Sequence, residues 1–171
     1  FTNALVVLTR ALELDPGNLE LLKDMALTHY YKKDLPAALG VAKPLTERKD
    51  VDVQSYQILG LIYKALEEKK EVDKMYKAAL KKFPASGVLY NEYGEVLWAK
   101  NDFAEAIRNW EKGIENEPNL PGNYYNAAKY YYMSADKVWG LVYGEIFVNM
   151  ESYTQRTVEI KQLLLDGYKK L

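Results

Sequence analysis

The sequence predicts an all-α fold of stacked antiparallel helix pairs, and three observations carry that prediction. Proline recurs at a fixed interval: Pro84 and Pro118 are 34 residues apart, and Pro16 lies two such steps before Pro84. Between these turns, apolar residues return every three or four positions in segments of helix length. Small residues come back at matching places, Ala26, Gly60 and Gly94 in one helix of each pair, Ala38 and Ala106 in the other. A 34-residue period is that of a repeating two-helix unit.

The elements follow in order. Residues 1–14 (FTNALVVLTRALEL) read as a second helix without its first. Complete pairs are expected at 19–32 with 35–48, 53–66 with 69–82, 87–100 with 103–116, and 121–134 with 137–150. Polar breaks such as Asn101-Asp102 and Ala135-Asp136 separate the members of a pair, each Asp placed to cap the second helix. The small residues let paired helices approach, and the large Tyr76 and Trp110 are expected to fill the gap to the neighbouring pair. Pro44 removes a backbone donor inside its helix, which predicts a kink or an early end. Gly140 and Gly144 cost their helix about 2 kcal/mol in propensity, so a partner must use the space they leave. The rings of Tyr124 and Tyr131 on the preceding helix are the expected occupants. After Ser152 the repeat is expected to stop. Ser152 and Gln155 stand at capping-box spacing. Ile160, Leu163, Leu164, Tyr168 and Leu171 then form one apolar stripe, as a terminal capping helix over 153–171 requires.

The motif YQILGLIY, with Tyr56, Leu59, Gly60 and Tyr63, resembles the first helix of a tetratricopeptide repeat with Tyr in place of Trp. Tyr90, Tyr93, Gly94 and Leu97, then Ala106, Trp110 and Pro118, repeat it one period later. Leu22, Met25, Ala26 and His29, then Ala38 and Ala42, stand one period earlier. The resemblance covers about residues 1–152, and the tail is similar to the ends of bacterial members of the family. It implies a right-handed α-solenoid forming a single array over 1–171. Its parts would be a half repeat at 1–16, full repeats at 17–50, 51–84, 85–118 and 119–152, and the capping helix.

The resemblance also implies a non-catalytic scaffold that binds a protein or peptide segment in a concave groove lined by the first helices. Groove positions are the second, fifth, ninth and twelfth of each first helix, and the last three share a helical face. They fall on Glu20, Lys23, Leu27 and Tyr30, then Gln54, Gln57, Leu61 and Lys64. Val88, Asn91, Glu95 and Trp98 follow, then Gly122, Tyr125, Lys129 and Tyr132. Trp98, Tyr125 and Tyr132 are the expected anchors, because aromatic rings give large contact area at low entropic cost. Asn91, Glu95 and Lys129 would set orientation, with Lys64 and Tyr30 as further groove residues. A carboxylate clamp of the kind that binds chaperone tails would need basic and amide residues at Lys23, Leu27, Ile58, Val88 and Glu92, and only Lys23 fits. In NYYNAAKYYYM, Tyr124 and Tyr131 fall on framework positions, Tyr130 should face a neighbouring helix, and only Tyr125 and Tyr132 point into the groove.

Composition narrows the alternatives. Twenty-three basic and 24 acidic residues give a net charge of −1, and no basic track accompanies the aromatics, so nucleic acid is not an expected partner. There is no cysteine and one histidine, His29, at a packing position, so no metal and no cofactor are expected. Serines 55, 86, 134 and 152 lack a nucleophile-elbow context, and glycine-rich phosphate loops are absent. No enzyme activity is expected. No apolar run reaches the roughly 18 residues needed to span a bilayer. The start at Phe1 inside half a repeat suggests a trimmed or processed chain, and either a cytoplasmic or an exported location is compatible with it. Two rival functions remain open: homo-oligomerisation or intramolecular packing through residues 1–14, and glycan binding on the aromatic groove.

Overall fold

The computed structural model describes residues 1–134 and 136–169. Ala135 of the expected break and Leu171 of the terminal stripe lie outside the described residues. Ten helices and no strand occur among the described residues, an all-α helical-repeat fold. They are α1 (Thr2–Leu14), α2 (Leu19–Tyr31), α3 (Leu35–Leu45), α4 (Val53–Ala65), α5 (Lys69–Lys82), α6 (Gly87–Ala99), α7 (Phe103–Asn116), α8 (Pro121–Met133), α9 (Lys137–Met150) and α10 (Gln155–Tyr168). First helices start at residues 19, 53, 87, 121 and 155. Second helices start at 35, 69, 103 and 137, so the 34-residue step holds to the residue. The period runs one helix past Ser152: α10 begins one full step after α8 and occupies a first-helix place.

Local chemistry sets these boundaries. Asn18, Asp52 and Ser86 each accept a hydrogen bond from the backbone N–H three residues on, which satisfies a donor the helix leaves open. Asp34 and Asp102 do the same for α3 and α7. Asp136 does not cap α9 with its side chain, and its N–H instead donates to Ser134 Oγ at 3.1 Å. The cap of α10 is Thr154, which accepts from Thr157 N–H, and not Ser152. Tyr153, with φ of 63°, turns the chain between the two residues and carries Ser152 away from the helix start.

The turn inside each pair repeats as well. Lys33, Glu67 and Asn101 all hold positive φ, at 68°, 57° and 62°. In each case the following N–H reaches the carbonyl five residues back, Asp34 to His29, Glu68 to Tyr63 and Asp102 to Leu97. That is the Schellman ending of a helix, made with residues that pay a steric cost for it. Pro44 brings the early end the sequence led us to expect: α3 stops at Leu45.

The chain divides into two units, Phe1–Lys82 and the remainder from Phe83. In the first, α1 contributes no buried residue, and the core comes from Ala26, Ala38, Ala42, Leu45 and the apolar face of α4 and α5. A methyl group at Gly60 would collide with the Tyr76 ring. In the second unit, a methyl at Gly94 would overlap the Trp110 indole. The large residue of each second helix therefore lies over the glycine of its own pair. Asn123, fully buried, donates to the Gly87 carbonyl at 3.0 Å and presses its amide against Gly113, so it joins α6, α7 and α8. The tyrosine rings do not fill the space at Gly140 and Gly144. A Cβ at Gly140 would lie 2.7 Å from the Tyr132 backbone nitrogen, so α8 and α9 meet main chain to main chain there. At Gly144 the neighbours are Leu164 and Ile160 of α10.

Candidate functional site

Three of the expected groove residues, Lys23, Asn91 and Tyr125, stand at the fifth position of a first helix. Lys23 is only 2% exposed. Its ammonium donates to Asp52 at 2.7 Å and Gln54 at 2.8 Å, at the start of α4, and pairs with Glu20 on its own helix. Burial alone would lower this ammonium, but the hydrogen bonds to Asp52 and Glu20 outweigh it and hold the group above its ordinary value. The one residue that matched a carboxylate clamp is thus already engaged. Elsewhere in the first unit, Lys64 is exposed and Tyr30 is half-buried in an edge contact with Tyr31. The ammonium of Lys33 stands over the Tyr30 ring, 5.7 Å from its centroid.

In the second unit, Asn91 sits between α6 and α8. Its amide oxygen accepts from Asn126 Nδ2 at 3.0 Å, and its own Nδ2 donates to Glu95 at 3.3 Å. Gly122 makes room for this, since a Cβ there would press to within 3.1 Å of the Asn91 oxygen. One turn after Glu95, Trp98 packs on Phe103 (4.7 Å between centroids), Trp110 (5.7 Å) and Tyr130 (6.4 Å). Trp110 donates its indole N–H to the Asn91 carbonyl at 3.2 Å. Glu95, Trp98, Trp110, Asn126 and Lys129 together line a cleft of about 160 Å³.

On the far side of Lys129, α10 packs against α8. Glu159 on α10 accepts from the Tyr125 hydroxyl and pairs with Lys129 at 2.8 Å, while Lys129 also donates to the Tyr125 oxygen at 3.1 Å. The Tyr125 ring packs on Phe147 and carries Lys129 and the Arg156 guanidinium against its faces. Hydrogen bonds from Lys129 and Tyr125 hold the Glu159 carboxyl below the usual carboxylate range. Burial, then donation to Glu159, pushes the Tyr125 phenol up. Tyr132 is also beside α10: a Cβ at Gly167 would stand 3.6 Å from its ring.

The other tyrosines of α8 pack within the fold. Tyr131 donates to Glu111 at 2.7 Å and stacks on Tyr143, whose hydroxyl reaches the same carboxylate at 3.5 Å. Burial, with Glu111 beside it, moves the Tyr131 phenol well above its ordinary value. Tyr124 packs on Tyr143, and Tyr130 meets Trp98 of the neighbouring pair. Sequence reasoning missed Asn126, Glu111 and Glu159. For Glu159 a signal existed: it stands 34 residues after Tyr125, at the fifth position of the next first helix.

Against known proteins, the tetratricopeptide repeat model matches residues 53–82. No curated protein matches the chain. A thermophilic tetratricopeptide repeat protein of Thermus thermophilus superposes with a TM-score of 0.76 at 20% identity, over 94% of this chain and 89% of the other. MamA residues 41 to the end from Desulfovibrio magneticus RS-1 gives a TM-score of 0.68 at 13% identity, over 87% and 84%. YrrB, described as a tetratricopeptide repeat protein with an unusual peptide-binding site, gives 0.66 at 17%, over 94% and 83%.

Proposed function

We propose that this chain, which carries a tetratricopeptide repeat match at residues 53–82 and has the fold of such proteins, is a non-catalytic scaffold that binds an extended segment of another protein in the α6–α8 cleft. The supporting observation is the cleft itself, where the Trp98 ring stands beside Glu95, Asn126 and Lys129 in a recess of side-chain size. Trp98 anchors the segment, Glu95 and Asn126 bond its backbone or side chains, and Asn91 holds both in place. Tyr125 and Tyr132 serve the site from behind, by seating α10 and fixing Lys129. Tyr30 and Lys64 belong to the first unit and are not part of this cleft. The peptide-binding description of YrrB, a structural neighbour, agrees with this class of ligand.

Selection of peptides from a random display library on the ¹⁵N-labelled protein tests the proposal. Binding should move the indole N–H signal of Trp98 and leave that of Trp139, on α9 and outside the cleft, in place. Trp98→Leu should weaken the selected peptides by about tenfold or more, as for a central aromatic anchor. Peptides that bind without moving the Trp98 signal would remove the cleft from the proposal.

A second reading has its own observation. Phe1, Val6, Val7 and Leu14 of α1 are exposed, and an open recess lined by Val7, Leu8, Leu27 and Tyr31 lies beside them. On this reading α1 pairs with a second copy of the chain. Sedimentation velocity should then show concentration-dependent dimers that Val7→Glu abolishes, and a monomer at every concentration sinks it.

A further inference from the structure

We infer that the α6–α8 cleft is selective for a cationic side chain, an arginine or lysine of the bound segment, held against Trp98 with Glu95 as its counter-charge. The inference rests on the peptide-binding reading and names the ligand chemistry of that site.

Two charged groups line the cleft, Glu95 and Lys129. They are not equivalent. Lys129 is paired with Glu159 at 2.8 Å and donates to Tyr125, so its charge is already met from within the protein. Glu95 is exposed, and its described partner is the neutral Asn91 amide at 3.3 Å. The charge left for a ligand is therefore negative.

Hydrogen-bond polarity points the same way. Asn126 spends an N–H on Asn91, and Asn91 passes an N–H to Glu95. The relay runs donor to acceptor and terminates on a carboxylate, leaving acceptor capacity at Glu95. The Trp110 indole N–H is taken by the Asn91 carbonyl, so this buried ring adds no free donor to the cleft. Trp98 is fixed by three aromatic neighbours, Phe103, Trp110 and Tyr130. An aromatic face beside a carboxylate is the pairing that a guanidinium or ammonium satisfies on both counts, by cation–π contact and by a charge-assisted hydrogen bond. An acidic side chain would meet Glu95 as a like charge and would have to draw Lys129 away from Glu159. Size agrees: a recess of about 160 Å³ has room for about five water molecules at their liquid volume, comparable with a long basic side chain.

The test uses the full chain, ¹⁵N-labelled, with three probes: acetyl-Gly-Gly-Arg-Gly-Gly-amide and its citrulline and glutamate counterparts. Citrulline keeps the shape of arginine and removes the charge. The arginine peptide should shift the Trp98 indole signal saturably, about tenfold more tightly than the citrulline peptide. Glu95→Gln, an exposed change that leaves Tm in place, should erase the difference. A Trp98 signal unmoved by the arginine peptide, moved equally by citrulline, or moved more by glutamate overturns the inference. The two failures are distinguishable. Display-selected peptides that shift Trp98 without enriched arginine or lysine would remove the cation and leave the peptide-binding reading standing. Selected peptides that never shift Trp98 would remove both.

Discussion

At the fifth position of a first helix, three side chains are tied to the next first helix. Lys23 reaches Asp52 and Gln54, Asn91 meets Asn126, and Tyr125 meets Glu159. Helical spacing places these residues at equivalent positions of successive first helices, and so far the sequence is legible. It does not show which atoms on the following helix come within hydrogen-bonding reach, because that depends on how two helices cross. Helical spacing puts Trp98 on one face with Asn91 and Glu95, but the three rings that immobilise it come from α7 and α8, and the period does not show that they converge on it. The turn residues show the opposite case. Asn101 suits positive φ, whereas Lys33 and Glu67 give no hint of it. A side chain in that region costs about 1–2 kcal/mol that glycine avoids, less what glycine's unfolded freedom takes back. Glu67→Gly should therefore raise stability by about 0.5–1 kcal/mol, read as an upward shift in the urea midpoint at constant m-value. A destabilised variant would mean that the Glu67 side chain makes a compensating contact.

At the scale of elements, helix starts were readable because proline and capping residues announce them, and Pro44 announced the end of α3. The fate of Gly140 was not readable. Two glycines say that something approaches, and only the fold says that it is the α8 backbone at one and α10 at the other. α10 itself was legible as an amphipathic helix, but its tie to α8 rests on Glu159. The folded-state value of that carboxyl is depressed, so its contribution to stability is present above the unfolded value and disappears as pH falls through the folded one. Between about pH 5 and about pH 3 the wild type should lose stability faster than Glu159→Gln. Thermal melts across that range check it, and parallel curves for the two proteins would place the acid sensitivity at other carboxylates, such as Glu151.

At the scale of the molecule, the period is the strongest statement the sequence makes, and it holds for helix starts across both units. Stability is nevertheless uneven along it. No residue of α1 is buried, whereas α7 buries Ala106, Ile107, Asn109, Trp110 and Gly113. Local opening is easiest where few contacts must be broken. Amide exchange should be fastest in α1 and slower by orders of magnitude in α7. Equal protection in α1 and α7 under dilute conditions would show that α1 is covered in solution, as pairing with a second copy requires.

The fifth-position ties also bear on how such an array can change over evolutionary time. A unit copied by duplication carries its own half of each junction but not the matching half next door. An ammonium at residue 23 needs a carboxylate, an amide at 91 needs another amide, and a phenol at 125 needs a carboxylate from α10. These units look interchangeable in outline, yet each seam is written in different chemistry. Shuffling them would part each group from the partner it bonds here, so their order along the chain is as much a part of the fold as their shape.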